Sequence, residues 1–350
     1  MRSPRQAAPA RIVAPARIVA LARIVALAPI AALAPIAALA LIAAGPAPWR
    51  DIPPPTPTAA HIPYGHTASG QWLNLYLPAG AGPFPLVVAV HGGAFIYGDA
   101  NNVAPGFAND VAALNARGIA VASVGYRLAP RSVFPKPVRD LSTALAFLAA
   151  HAAHYHLDSA RIALWGKSAG ANLVLLAGLG RHAPRFRRPG LAVPPIAAIV
   201  AYYPPTDFLT LDQELRQDDC RLSGPFLPHD GPGGPESKFL GVPIKSHPAQ
   251  DALADPATYA TQAAPPVLLV AGTDDCLVPW QQSQELANTL IARGAPVTFR
   301  LVTGATHADL SLDQGATLAT TMNFLTRALH VPRPVIEADR RHTHMHPPGL

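Results

Sequence analysis

Ser168 stands in Gly166-Lys167-Ser168-Ala169-Gly170, between a β-branched and apolar run (Arg161-Ile162-Ala163-Leu164) and a helix-forming one (Ala171–Leu176). A serine between two such glycines, on a sharp strand-to-helix turn, has its hydroxyl lifted clear of the sheet. The turn strains the serine backbone and leaves room only for small residues two positions either side. The chemistry is nucleophilic: a hydroxyl beside a helix N-terminus, whose free N–H groups face whatever it attacks. Such a nucleophile needs a base, an acid to orient the base, and donors for a developing oxyanion.

Candidates for all three occur in the required order. Before the serine, Leu86–Val90 leads into His91-Gly92-Gly93-Ala94-Phe95. Glycines there let backbone N–H groups reach an oxyanion, and losing one such donor typically costs ~3–4 kcal/mol of transition-state stabilisation. His91 precedes the serine and is read, with Gly92, as support for this loop rather than as the base. The base is His307, in Thr303-Gly304-Ala305-Thr306-His307 directly after the run Val297–Val302. The acid lies in Gly272-Thr273-Asp274-Asp275-Cys276-Leu277-Val278-Pro279; spacing favours Asp275 over Asp274, which is left to serve the turn. Asp207, after the run Ile196–Tyr203, is a weaker rival suited to capping its own loop. Phe95 and Tyr97 are candidates to line the acyl or alcohol side.

These residues need strands to carry them. Gln71–Pro78 alternates as a half-buried strand, while Leu86–Val90 and Ile119–Val124 are continuous apolar runs suited to strands covered on both faces. Ile196–Tyr203, Val267–Val270 and Val297–Val302 follow. Helices are expected at Phe107–Arg117, Val138–His151, Pro279–Arg293 and Gly315–His330. Strand and helix alternate without a second compositional regime, which predicts one doubly wound, mostly parallel α/β sheet.

The series HGGAF…YRLAP…GKSAG…GTDDCLVP…H resembles the α/β-hydrolase superfamily over roughly residues 66–330. It is most similar to the feruloyl/acetyl-xylan-esterase-like and hormone-sensitive-lipase-like carboxylesterases. The resemblance implies the α/β-hydrolase fold, a carboxylic ester substrate and no cofactor. It also implies a Ser168–His307–Asp275 triad, with Gly93, Ala94 and the N–H of Ala169 as oxyanion donors. Two residues depart from the pattern. Ala94 replaces a common third glycine, and Lys167 stands where an acidic, histidine or aromatic residue is more familiar. The short run before the first strand leaves no room for a large N-terminal helical cap and favours the smaller, secreted branch. Amide hydrolysis, as in formamidases or peptidases of the same superfamily, is the alternative chemistry; a non-catalytic binding protein is the alternative class.

The remaining segments frame this domain. Residues 9–44 form six hexads, PARIVA, PARIVA, LARIVA, LAPIAA, LAPIAA and LALIAA. Six α-helical residues turn through about 600°, so arginines at that spacing scatter round the axis. A basic front, an uncharged stretch and small residues near Ala47 read as an export signal, with an anchor or a misplaced start as alternatives. Secreted or periplasmic location is the expectation, cytoplasmic the alternative, and a membrane partner follows only from a retained anchor. Residues 48–65 read as a Pro-rich linker and 331–350 as a flexible tail. Arg2, Arg5, Arg11, Arg17 and Arg23 supply most of the formal +6. The body is thus nearly neutral overall, and no nucleic-acid partner is expected. No complete metal site and no phosphate-cradling loop is evident. Residues 206–262 exceed a simple crossover and form a candidate lid. Cys220 in that insert and Cys276 beside Asp275 are expected as free thiols, with pairing as the alternative.

Overall fold

A computed structural model describes residues 55–67, 69–101, 107–222 and 226–332. The hexad segment and most of the tail lie outside the described residues. Among the described residues eight strands form one sheet, in the order β1-β2-β4-β3-β5-β6-β7-β8. They are β1 (Ala59–Pro63), β2 (Trp72–Tyr76), β3 (Phe84–Val90), β4 (Ala120–Val124), β5 (Leu157–Lys167), β6 (Ala198–Tyr202), β7 (Val267–Gly272) and β8 (Val297–Val302). β1 and β4 each pair antiparallel with β2, whereas β3 to β8 are mutually parallel wherever they pair. The continuous apolar runs occupy the centre, and β4, β6 and β7 are buried at every position. That is how strands covered on both faces read.

The first strand was hidden in the stretch read as linker. Ala59–Pro63 pairs with β2, because Ile62 turns inward and Tyr64 donates its hydroxyl to Gly125 O. An edge strand tolerates the terminal Pro63, whose missing N–H removes no central ladder bond. The sheet therefore begins before residue 66.

Helices α1 (Phe107–Asn115), α2 (Lys136–Ala150), α3 (Ala169–Leu179), α4 (Leu211–Gln217), α5 (Pro235–Leu240), α6 (Pro248–Ala254), α7 (Trp280–Ala292) and α8 (Gly315–Ala328) complete the body. Two apolar clusters lie on opposite faces of the sheet. One gathers Leu141, Leu145 and Leu148 of α2, the apolar residues of α3, and Leu286 and Leu290 of α7. The other gathers Phe107, Val111 and Leu114 of α1 with Met322 and Leu325 of α8. Every residue of α3 is buried. This helix follows Ser168 directly, so the serine rests on a fully buried element. The insert between β6 and β7 carries α4, α5 and α6. Among the described residues no helix is long and apolar enough to cross a membrane.

Candidate active site

β5 runs into α3 with one residue between them, Ser168, at φ 55° and ψ −128°. A non-glycine residue in that region is strained, and it persists only where neighbours over-determine it. Here the flanking glycines do so. A Cβ on Gly166 would collide with Gly170 O, and one on Gly170 would collide with the carbonyls of Val90 and His91. The turn is tight because strand, helix and oxyanion loop approach one another at backbone distance.

His307, five residues past the end of β8, places its Nε2 3.1 Å from Ser168 Oγ. Its Nδ1 lies 2.8 Å from Asp275 Oδ2. The second oxygen of Asp275 accepts from the N–H groups of Leu277 and Val278, both at 2.9 Å. The carboxylate is buried and cannot rotate without losing two bonds. Asp274 instead is exposed and accepts from the Thr273 hydroxyl at 2.7 Å. Asp207 caps its own turn, accepting from Leu209 N at 2.9 Å. Of the three acids weighed, the structure brings only Asp275 to His307.

The loop after β3 turns at three successive positive φ values: Gly93 at 104°, Ala94 at 52° and Phe95 at 63°. Gly93 is required there, since a side chain would strike Tyr97 O. Gly92 packs against the elbow, where a Cβ would meet Lys167 O at 3.0 Å. Among the described residues no backbone carbonyl takes the N–H of Gly93 or Ala94. The N–H of Ala169 is the first of α3 and has no intrahelical partner. All three residues line the cavity that holds Ser168.

His91 sits behind this loop. Its ring stacks on Tyr126 at 4.4 Å, and its Nδ1–H donates to Gly92 O at 2.7 Å. Burial pushes its pKa down to about 4, so at neutral pH it is an uncharged brace. The Tyr126 hydroxyl, 3.2 Å from His91 O, adds a second tie.

The cavity encloses about 240 Å³ and is lined by residues of the sheet ends and of the insert. Phe95 lines it and stacks on Phe239 of α5 at 4.0 Å. Tyr97 does not line it: the turn at Gly93–Phe95 carries this side chain outward, 58% exposed, onto the edge of Phe226. The insert contributes Phe226, His229, Pro235 and Glu236. His229 faces an acceptor at each ring nitrogen, Glu236 Oε2 at 2.9 Å and Leu277 O at 2.8 Å. Burial opposes the imidazolium, but the Glu236 charge outweighs it and holds the pKa above its ordinary value.

Several residues of this frame carried no local signal. Tyr203, directly after β6, lays its ring against His307 at 4.6 Å. Gln282 of α7, fully buried, accepts from Thr206 N and Asp207 N and donates to Glu214. Asn172 of α3 donates to Pro205 O and Ala254 O. These amides hold the insert to the body from positions 33 to 82 residues away. A polar residue inside an apolar helix was the only available hint.

The cysteines differ from expectation. Cys220 and Cys276 are bonded, with Cα atoms 5.4 Å apart, so they are not free thiols. The insert folds back after α4 and sets Cys220 beside the acid loop, a proximity created by tertiary packing alone. The bond closes a separation of 56 residues. By loop-closure entropy, Cys220→Ser with Cys276→Ser should cost about 4 kcal/mol of stability, read as a lowered denaturation midpoint. An unchanged midpoint would show that the packing alone sets the insert.

Lys167 is buried beside Ser168 and lines the same cavity, but its ammonium is held by two carboxylates. Its Nζ lies 2.8 Å from Asp110 Oδ2 of α1 and 2.6 Å from Asp313 Oδ1, in the turn Leu310–Asp313 that follows His307. The rings of Trp165 and Tyr202 lie 5.5 and 5.6 Å below it. Burial disfavours the ammonium, but the two carboxylates outweigh it and raise the pKa. Burial in turn raises both carboxyls, while Lys167 opposes that rise. One cation thus ties elbow, α1 and the histidine loop together.

Comparisons with known proteins agree with this architecture. The BD-FAE family model matches residues 73–290. Esterase LipC of Mycobacterium tuberculosis is 29% identical over 238 residues, which cover 67% of this chain and 55% of that protein. The isoprenylcysteine alpha-carbonyl methylesterase ICME of Arabidopsis thaliana is 29% identical over 259 residues, covering 72% and 56% respectively. The chain spans about half the length of the curated relatives it matches. Among solved structures, a truncated carbohydrate esterase from gut microbiota superposes with a TM-score of 0.65 at 22% identity, over 77% of this chain and 95% of that one. The thermostable carboxylesterase EstE1, from a metagenomic library, superposes with 0.61 at 24% identity, over 79% and 89%. With a doubly wound sheet, a strained serine elbow and a family match over most of its body, the chain has the α/β-hydrolase fold and belongs to the BD-FAE family.

Proposed function

We propose that the chain hydrolyses carboxylic esters with short or aryl acyl groups through an acyl-enzyme on Ser168. The observation that carries this is the relay Ser168–His307–Asp275, at 3.1 and 2.8 Å, opening on a cavity edged by free backbone donors. His307 Nε2 takes the serine proton as Oγ attacks the acyl carbon. Asp275, fixed by two backbone N–H groups, holds the other nitrogen as N–H and favours the imidazolium that forms. Gly93, Ala94 and Ala169 present N–H groups to the oxyanion. The proton then passes to the departing alcohol, and water attacks the acyl-enzyme with His307 again as base. Phe95, Phe226 and Val278 make an apolar wall against the acyl or aryl group. Esterase and methylesterase names among the relatives support an ester over an amide.

An aryl phosphonate should label the protein once, on Ser168, and matched aryl esters should turn over far faster than the corresponding anilides. Labelling elsewhere would displace Ser168. Comparable amide turnover would assign the chain to the formamidase-like alternative, and neither labelling nor turnover would leave a binding protein on this fold.

The same reading includes export directed by residues 1–47. A structural disulfide supports it, because such bonds persist in oxidising compartments. The mature secreted protein should begin near Ala47 on N-terminal sequencing; an unprocessed cytoplasmic chain would rule export out.

A further inference from the structure

Near-neutrality of the body conceals a segregation of its charges. Residues 55–332 contain 18 basic and 18 acidic residues, yet residues 127–188 contain ten basic and two acidic. Folding concentrates them further. Lys136 and Arg139 of α2, Arg187 and Arg188 of the loop after α3, and Arg127 line one cleft of about 560 Å³. This cleft shares no lining residue with the cavity that holds Ser168.

Asp140 is the one acidic residue in the cleft wall, and its capacity is used. Its two oxygens accept from Arg127 N, Nε and Nη2, and from Gln71 Nε2, at 2.6 to 3.0 Å. That pairing neutralises Arg127 alone. Among the described residues no carboxylate pairs with Lys136, Arg139, Arg187 or Arg188. Arg139 is anchored by Nε to Arg185 O at 2.6 Å, which directs its fork without discharging it. Arg187 reaches His182 O at 3.4 Å through one terminal nitrogen, and its shielded Nε has no partner among the described residues. Four uncompensated cations around one concavity repel one another and focus a positive potential into it.

We propose that this cleft is a second binding site, for a ligand carrying two or more phosphate groups. Guanidinium forks match the spacing of phosphate oxygens and bind them bidentately, while the lysine adds a mobile point charge. A phosphate brings up to two charges per group, so a diphosphate answers four cations where a single carboxylate would leave three unmet. The cleft volume exceeds what a lone ion fills, which suits a ligand larger than one phosphate.

Calorimetric titration of the full chain with inorganic pyrophosphate tests this. Saturable binding is expected, roughly tenfold or more tighter than inorganic phosphate and weakened by added salt. Arg187→Gln with Arg188→Gln, and separately Lys136→Gln, should each weaken it by about tenfold or more, since each removes charge-assisted bonds. Aryl-ester turnover and melting temperature in the absence of pyrophosphate should stay at the wild-type level in both variants, because neither touches the Ser168 cavity or an apolar cluster. Competition between pyrophosphate and phosphatidylcholine vesicles containing a phosphatidylinositol bisphosphate would assign the phosphates to a lipid headgroup; indifference to such vesicles would assign them to a soluble ligand, and both retain the site. Absence of saturable binding, or binding equally strong in the two variants, would overturn the proposal.

Discussion

In Ser168→Ala, hydrolysis of a short aryl ester should fall by about 10⁴-fold or more in kcat, while the fold and its melting temperature stay close to wild type. The size of the loss follows from the relay acting as a unit. Without Oγ there is no acyl-enzyme, and His307 and Asp275 have nothing to activate; triads of this kind lose about as much from one member as from all. The residue left behind can still be accommodated. Alanine at φ 55° is no more strained than serine, because the close packing of Gly166 and Gly170, not the hydroxyl, imposes that backbone. Ground-state affinity for substrate should also persist, since the apolar wall and the free N–H groups remain in place. Asp275→Asn should be a smaller but still large loss, because an amide at that position orients the wrong histidine tautomer. Retention of most turnover in Ser168→Ala would refute the mechanism, whereas loss of both turnover and folding would make the variant uninformative. Thermal unfolding of the same preparation separates those two cases.

The parts of this site that could be read from the sequence are those set by local rules. Ser168, Asp275 and His307 each follow a strand end, and glycines mark the turns that strand ends require. The strand runs themselves are apolar because both faces of a parallel sheet are covered. What escaped reading depends on which segments meet. Cys220 and Cys276 stand 56 residues apart, and their separation in space is decided by how the insert folds back. Tyr97 and Phe95 are two residues apart in the same loop, yet one lines the cavity and the other faces outward, since positive φ values at Gly93–Phe95 break the alternation. β1 was masked by the prolines around it, although Ile62 and Tyr64 supply inward contacts. Net charge also proved a poor guide to surface, because the basic stretch 127–188 is offset by acidic residues elsewhere in the chain. Lys167 is the sharpest case: its two partners lie 57 and 146 residues away, so no window of sequence contains the reason for it.

That lysine carries the second large prediction. Lys167→Met should destabilise the protein by about 3–5 kcal/mol, because removing one partner of a buried ionic cluster leaves its counter-charges uncompensated. The wild-type cluster already has two carboxylates to one ammonium, and among the described residues Asp110 Oδ1 and Asp313 Oδ2 have no hydrogen-bond partner. With the cation gone, the two acids face each other in a buried site, and their folded-state pKa values rise further above those of the unfolded chain. The sign of the pH dependence follows. The folded variant then binds more protons than the unfolded chain above the ordinary carboxylate range, so its stability falls as pH rises and recovers as pH is lowered towards that range. Substituting the acids in the same background, as Lys167→Met with Asp110→Asn and Asp313→Asn, should recover a large part of the loss. Activity should respond as well. Asp313 closes the turn that follows His307, and Asp110 sits on α1, so a cluster in repulsion shifts the histidine loop relative to the elbow and lowers kcat more than it raises KM. Pairing denaturant midpoints from pH 4 to 8 with kcat over the same range checks both limbs. A variant whose stability is flat across that range would mean that the lysine only fills space, and that the strained elbow is held by glycine packing alone.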